Sequence, residues 1–213
     1  MPLSFEIAQP RLMVWEIAEE EVFWLDRLEF SATMREEWSH CHPGHRTEWL
    51  ATRWLAAELS GQNPPPYRKD ERGKPWSVDG DGQFSFSHTR GWAAAMLSDR
   101  AVGVDVQRLE EKTLRIRHKF MLPEEIALGE AEPDNFPGFA HVHWCAREAV
   151  YKAHGLRGLD FRADILLEPF RFDPSGGLLR ARTRKNGAEK EFEVFYRPLR
   201  DAMLAYATPF EMP

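Results

Sequence analysis

The chain has 213 residues, of which 43% are hydrophobic and 12% aromatic, including eight Trp and fourteen Phe; that apolar content supports a packed core and excludes a disordered chain. Its 28 basic and 34 acidic residues leave a formal charge of −6, so nucleic acid is not an expected partner, although local basic clusters can still meet phosphates. Cys41 and Cys145 are too few for a disulfide framework, MPLSFEIAQP lacks the basic-then-apolar pattern of a signal peptide, and no run approaches the roughly 20 apolar residues of a membrane span, so the expectation is a cytoplasmic protein outside membranes.

Arg11–Ile17 (RLMVWEI) has the composition of a strand, and Glu20–Leu28 that of a short helix. From Ser31 to Ser60 the apolar spacing is helical, broken by a turn at Pro43-Gly44 and closed by Gly61 and the three prolines Pro64–Pro66. Tyr67–Pro75 reads as a basic loop, and Asp79-Gly80-Asp81-Gly82 as a turn. Phe84–His88 is strand-like, and Trp92–Leu97 suits a strand or a helix start. In Val102–Val106 three valines alternate with Gly103 and Asp105, the period of a strand. Short helices are expected at Arg115–Lys119 and Pro123–Gly129, then a Pro-containing loop over Glu130–Gly138 and a helix over His143–His154 closed by Gly155. The rest is β-rich: Ile165–Phe172, Leu178–Arg184, Glu191–Arg197 and Met203–Thr208, with turns at Pro174–Gly177 and Asn186-Gly187. Two halves are expected, residues 1–100 and residues 101–213, the second carrying the metal-type motifs.

Alternation puts Asp105 and Gln107 on one face of their strand and Val104 and Val106 on the other. An acid between valines needs compensation if it is buried, from a metal, an Arg or a surface position. Trp144, Glu148 and Lys152 form one helix stripe at i, i+4 and i+8, which alone would suit an ordinary surface ion pair. Together, Asp105 and Glu148 could give Mg²⁺ its hard carboxylate oxygens, Gln107 an amide oxygen, and Lys152 a charge for a phosphate on the same metal. Upstream, Gly73-Lys74-Pro75 places a cation on a stiff turn, and Ser87 and His88 end a strand where both can donate to phosphate. Arg46 and Arg53, seven apart on one helix, suit surface ion pairs or a phosphate.

Gly73-Lys74-Pro75, then Phe84-Ser85-Phe86-Ser87-His88, then Gly103-Val104-Asp105-Val106, then the Trp144, Glu148-Ala149 and Lys152 stripe resemble, in this order and spacing, the surfactin-synthetase-activating (Sfp-type) 4′-phosphopantetheinyl transferases. The resemblance implies an α+β fold of two similar subdomains in pseudo-twofold arrangement, with coenzyme A between them, and a monomer. It implies Mg²⁺-dependent transfer of the 4′-phosphopantetheine arm of coenzyme A to a serine of an apo acyl, peptidyl or aryl carrier protein, releasing adenosine 3′,5′-bisphosphate. By the same resemblance Asp105 and Glu148 ligate the metal and Glu148 helps to deprotonate the serine. Lys152 binds the pyrophosphate, Lys74, Ser87 and His88 line the coenzyme A site, and Arg46 and Arg53 are candidates for the 3′-phosphate. Many members carry a second acid where this chain has Gln107, which removes one negative charge from the metal position. Fatty-acid, polyketide and non-ribosomal-peptide carriers are all admissible partners, docked by a segment such as Lys112–Gly138. There Phe120, Met121 and Leu122 serve either the dock or the core.

Two rival readings stand beside this one. The chain could bind coenzyme A or a carrier without transferring, with Gln107 as the sign of decay. It could instead be a metal-dependent hydrolase using His141, His143 and Cys145, or His40, Cys41, His42 and His45.

Overall fold

A computed structural model describes residues 3–8, 10–80 and 82–210; Asp81 of the expected turn lies outside them. The chain forms two compact units, Met1–Arg100 and Ala101–Pro213, each a helix-bearing antiparallel sheet.

In the first unit β1 (Leu3–Ile7), β2 (Arg11–Glu16), β3 (Tyr67–Lys69), β4 (Pro75–Ser77), β5 (Gln83–Thr89) and β6 (Trp92–Ser98) are ordered β1-β2-β6-β5-β4-β3. The helices are α1 (Glu21–Leu25), α2 (Ala32–His40) and α3 (Arg46–Ser60), with one tight turn at Pro43–His45 leading into α3. Trp92–Leu97 resolves as strand β6. Its three alanines favour helix by propensity, but β2 and β5 pair with it on both sides, and pairing outweighs propensity. The same small side chains let α3 close onto the sheet, where Leu50, Leu55 and Ala56 pack with Trp15, Phe84, Ala93 and Ala95. The expected basic loop is instead the β3–β4 hairpin, with Lys69 opposite Pro75. Asp70 organises its turn, Oδ1 accepting from the backbone N–H of Arg72 and of Lys74.

In the second unit β7 (Gly103–Arg108), β8 (Ile165–Leu167), β9 (Gly177–Lys185), β10 (Ala188–Pro198) and β11 (Ala202–Pro209) are ordered β7-β11-β10-β9-β8. Its helices are α4 (Glu111–Arg115), α5 (Pro123–Glu130) and α6 (Phe136–His154). Helix α6 begins seven residues before the expected start at His143, because Pro137 stands in its first turn, where proline lacks no bond the helix needs. Strand β8 stops at Leu167, short of the expected Phe172. Glu168 N–H still reaches Arg180 O at 2.9 Å, but Pro169 has no N–H to extend the ladder. Phe170 and Phe172 therefore leave the sheet and pack with Phe139 on α6. Phe120 and Met121 are core residues, 1% and 0% exposed, while Leu122 is half-buried. No helix among the described residues is long and apolar enough to cross a membrane.

Candidate active site

The site begins with a close approach of β7 to α6. A Cβ on Gly103 would collide with the Ala149 carbonyl oxygen and lie 2.6 Å from Ala153 N, so only glycine allows the strand to touch the helix backbone there. The register continues the theme: Gly103, Asp105 and Gln107 pair with Ala207, Ala205 and Met203 of β11, and Ala205 and Ala207 pack in one cluster with Ala149 and Ala153. Alternation turns Asp105 and Gln107 to the same face as Gly103.

Lys152, on the last turns of α6, closes the gap. Its Nζ donates to Asp105 Oδ1 and to Val104 O, each at 2.8 Å. Asp105 is 7% exposed, and Glu148 stands one helical turn before Lys152, half-buried. Burial, and then the Asp105 charge, push the Glu148 carboxyl up to about 7 against a smaller downward pull from Lys152. Gln107 is half-buried and its side chain makes no hydrogen bond among the described residues. No described cluster of three or more His, Cys, Asp or Glu forms a metal cage. This face offers two carboxylates and an amide, a set that needs substrate or water oxygens to complete an octahedron.

Beneath the site, Arg147 is entirely buried. Its Nη2 donates to both Glu125 oxygens at 2.7 and 2.8 Å, its Nε to Phe161 O at 2.9 Å, and its Nη1 to His143 Nδ1 at 2.8 Å. One guanidinium thus ties α5 and the loop after α6 to α6, next to Glu148. Because Arg147 can only donate, His143 Nδ1 must accept. Burial first, and the Arg147 charge second, hold His143 neutral. His141 is committed elsewhere: Nδ1 bonds Pro137 O at 2.7 Å and Nε2 accepts from Glu110 N–H at 3.0 Å. Cys145 lies against Met203 O at 3.5 Å. The three side chains of the alternative zinc run therefore serve separate partners. Sequence reasoning missed Glu125 and Arg147 as a pair. The signal was a lone Arg inside an otherwise apolar helix face.

In the first unit the expected phosphate ligands separate into groups. Arg46 opens α3, its guanidinium 4.6 Å over the Trp38 ring and its Nε buried without a hydrogen-bond partner. The ring of His45, just before it, lies 6.1 Å from that of His88 on β5 and 5.8 Å from that of His42. The His45 and His88 imidazoles thus join Arg46 at a helix N-terminus, a setting that favours anions. Ser87 is buried on the opposite face of β5 from exposed His88, as alternation requires, so these neighbours do not share a side. Lys74 is half-buried at the start of β4, its backbone pinned by Asp70.

Arg53 does not join this group. It is 4% exposed, and its nitrogens donate to Tyr67 Oη at 3.2 Å, Thr52 Oγ1 at 2.8 Å and Glu37 Oε2 at 2.7 Å. Burial alone would raise Glu37, yet Arg53 and Lys69 hold its carboxyl below the usual range. Seven-residue spacing from Arg46 gave the right helix face but the wrong depth, because α3 sinks into the sheet after its first turns.

A sequence model of the 4′-phosphopantetheinyl transferase superfamily matches residues 101–207. The chain is 31% identical over 90 residues to the 4′-phosphopantetheinyl transferase gsp of Aneurinibacillus migulanus, covering 42% of this chain and 38% of the relative. It is 27% identical over 143 residues to a 4′-phosphopantetheinyl transferase of Bacillus subtilis, covering 63% of each. It is 31% identical over 93 residues to a putative 4′-phosphopantetheinyl transferase of Haemophilus influenzae, covering 41% and 39%. The matched stretches thus span less than two thirds of these relatives' lengths. The superfamily match runs from before Gly103 to beyond β11's Tyr206 and covers just over half of the chain, taking in Asp105, Glu148 and Lys152; the chain belongs to the 4′-phosphopantetheinyl transferase superfamily.

Proposed function

We propose that this protein transfers the 4′-phosphopantetheine arm of coenzyme A to a serine hydroxyl of an apo-carrier protein, releasing adenosine 3′,5′-bisphosphate. The observation that carries the reading is the 2.8 Å contact of Lys152 with Asp105 one helical turn from Glu148, whose carboxyl is pushed up to about 7 by burial first and the Asp105 charge second. A carboxylate near neutrality can accept the serine proton while remaining partly ionised. The serine oxygen forms the new P–O bond, the bridging P–O bond of the pyrophosphate breaks, and the electron pair leaves with the bisphosphate. Lys152, already at hydrogen-bond reach of Asp105, neutralises charge gathering on the leaving phosphate.

Mg²⁺ fits the donor set: burial first and the Asp105 charge second raise the Glu148 carboxyl, and a divalent cation held by the two carboxylates would offset the repulsion between them. Asp105 and Glu148 would hold it, with Gln107 giving an amide oxygen or orienting a bound water. When bound, the cation would supply charge neutralisation for the pyrophosphate. Gln107 in place of an acid leaves this site one negative charge poorer, a deficit that the pyrophosphate offsets. Arg46, His45 and His88 form the set we assign to a further phosphate of coenzyme A, with Lys74 a separate cation for the same substrate. Arg53 is left out, since its donors are occupied within the core.

The test is incubation with coenzyme A, Mg²⁺ and several unrelated apo-carriers, with mass spectrometry of the carrier. A gain of one phosphopantetheine arm is expected with wild type, and near-complete loss with Asp105→Ala and Glu148→Ala. Carriers left unmodified by a protein that still binds coenzyme A would replace transfer with binding alone.

A further inference from the structure

The aromatic segment that leaves β8 builds a second concave site. Between α5, the start of α6 and residues 169–172 lies a cavity of about 360 Å³, at the small end of the ~300–1,000 Å³ typical of ligand pockets. Its body is apolar: Leu128, Phe139, Phe170 and Phe172 face it. The walls are held by close packing, for a Cβ on Gly129 would lie 2.6 Å from Phe139 Cδ1, and one on Gly138 would lie 2.8 Å from Phe172 Cε1. Phe139 and Phe170 are stacked at 5.0 Å. Leu128 is 50% exposed, so the cavity opens to solvent on that side.

Two opposite charges line the same cavity. Glu132 and Arg171 both face it, Arg171 Nε standing 3.4 Å from Glu132 Oε1 with side chains 86% and 44% exposed. An ion pair that exposed and that long contributes little to stability, so either partner can turn to another ion at little cost. An apolar pocket with one cation and one anion at its edge matches a ligand with an apolar body and a zwitterionic head. We propose that this cavity binds an α-amino acid with an aromatic side chain, its carboxylate on Arg171, its ammonium on Glu132 and its ring among Phe139, Phe170 and Phe172. The site is separate from the transferase residues: Phe139 precedes Glu148 by nine positions, roughly 14 Å along α6 and on its opposite face.

Ligand-detected and amide NMR on the full chain tests this with L-phenylalanine, 3-phenylpropionate, phenethylamine and glycine as probes. Phenylalanine should shift amides of residues 128–139 and 168–172. The two probes with half a head group should bind about tenfold more weakly or worse, and glycine should not bind. Arg171→Ala and Glu132→Gln, both at exposed positions, should each weaken phenylalanine about tenfold. The proposal fails if phenylalanine at ~10 mM leaves those amides unmoved, or if the half-head probes bind as tightly as phenylalanine. It fails equally if neither substitution changes phenylalanine affinity.

Discussion

Lys152 Nζ is 2.8 Å from Asp105 Oδ1 and 2.8 Å from the Val104 carbonyl, so a single ammonium ties α6 to β7 at the carboxylate beside Glu148. Lys152 also supplies the one charge that draws the Glu148 carboxyl downward. Lys152→Met removes the tie and that charge while keeping the apolar stem. Glu148 should then titrate above about 7, which carboxyl ¹³C NMR of the metal-free protein reads directly. Transfer to an apo-carrier should fall about 10²–10³-fold, the scale for removing one donor to a developing charge. An unshifted Glu148 would show that Lys152 does not sense it.

Glu148 links pH to stability. Its carboxyl has an ordinary value of 4.5 and sits at about 7 in the fold. Between those values the folded chain holds a proton that the unfolded chain has released. The stability this group contributes is therefore complete below the ordinary value and is lost as pH rises through about 7. Glu148→Gln never carries the charge. The metal-free variant should be more stable than wild type at ~pH 8, by at most ~3 kcal/mol, and so melt at a higher temperature, with the gap closing toward ~pH 5. Thermal melts in chelator at both pH values decide it, and a gap independent of pH would exclude Glu148 as its source.

Much of the site was legible because it depends on short-range geometry. Alternation in β7 and the i, i+4 stripe of α6 are local, so Asp105 and Glu148 could be placed on faces from sequence alone. What remained hidden was set by tertiary depth. Arg53 shares a helix face with Arg46 but is buried against Glu37 and Tyr67, which spacing does not encode. Ser87 and His88 are adjacent in sequence and opposed in space. Phe170 and Phe172 have strand composition, yet Pro169 withdraws them from the ladder and they serve another surface. Glu125 and Arg147 are separated by 22 residues, so their pairing needed the fold.

Arg147 should be the most stability-sensitive charge of the second unit. It is fully buried and donates to three partners, Glu125, Phe161 and His143, through one planar fork. Arg147→Ala leaves Glu125 short of its partner and should cost about 3–5 kcal/mol. Arg147→Lys retains charge but loses the two-oxygen grip and the Phe161 contact, so it should recover only part of that. Denaturant unfolding of both variants checks the ranking. Equal midpoints for Lys and wild type would mean that charge alone, without the fork, suffices.

Gly103 is where fold and site depend on the same atom. Any Cβ there meets main chain of α6: the Ala149 carbonyl oxygen, and Ala153 N at 2.6 Å. A side chain could turn away, but a helix backbone cannot, so in Gly103→Ala β7 must back off the helix. Overpacking of this kind costs about 1–3 kcal/mol or more. The displacement carries Asp105 with it, two residues along on the same face, and stretches its 2.8 Å contact to Lys152. The variant should therefore lose divalent-cation affinity beyond what its lowered stability explains. Mn²⁺ binding followed by electron paramagnetic resonance, at a temperature where the variant is fully folded, separates the two effects. Gly103→Ala that binds Mn²⁺ as wild type does, while melting lower, would show that the close approach serves packing alone.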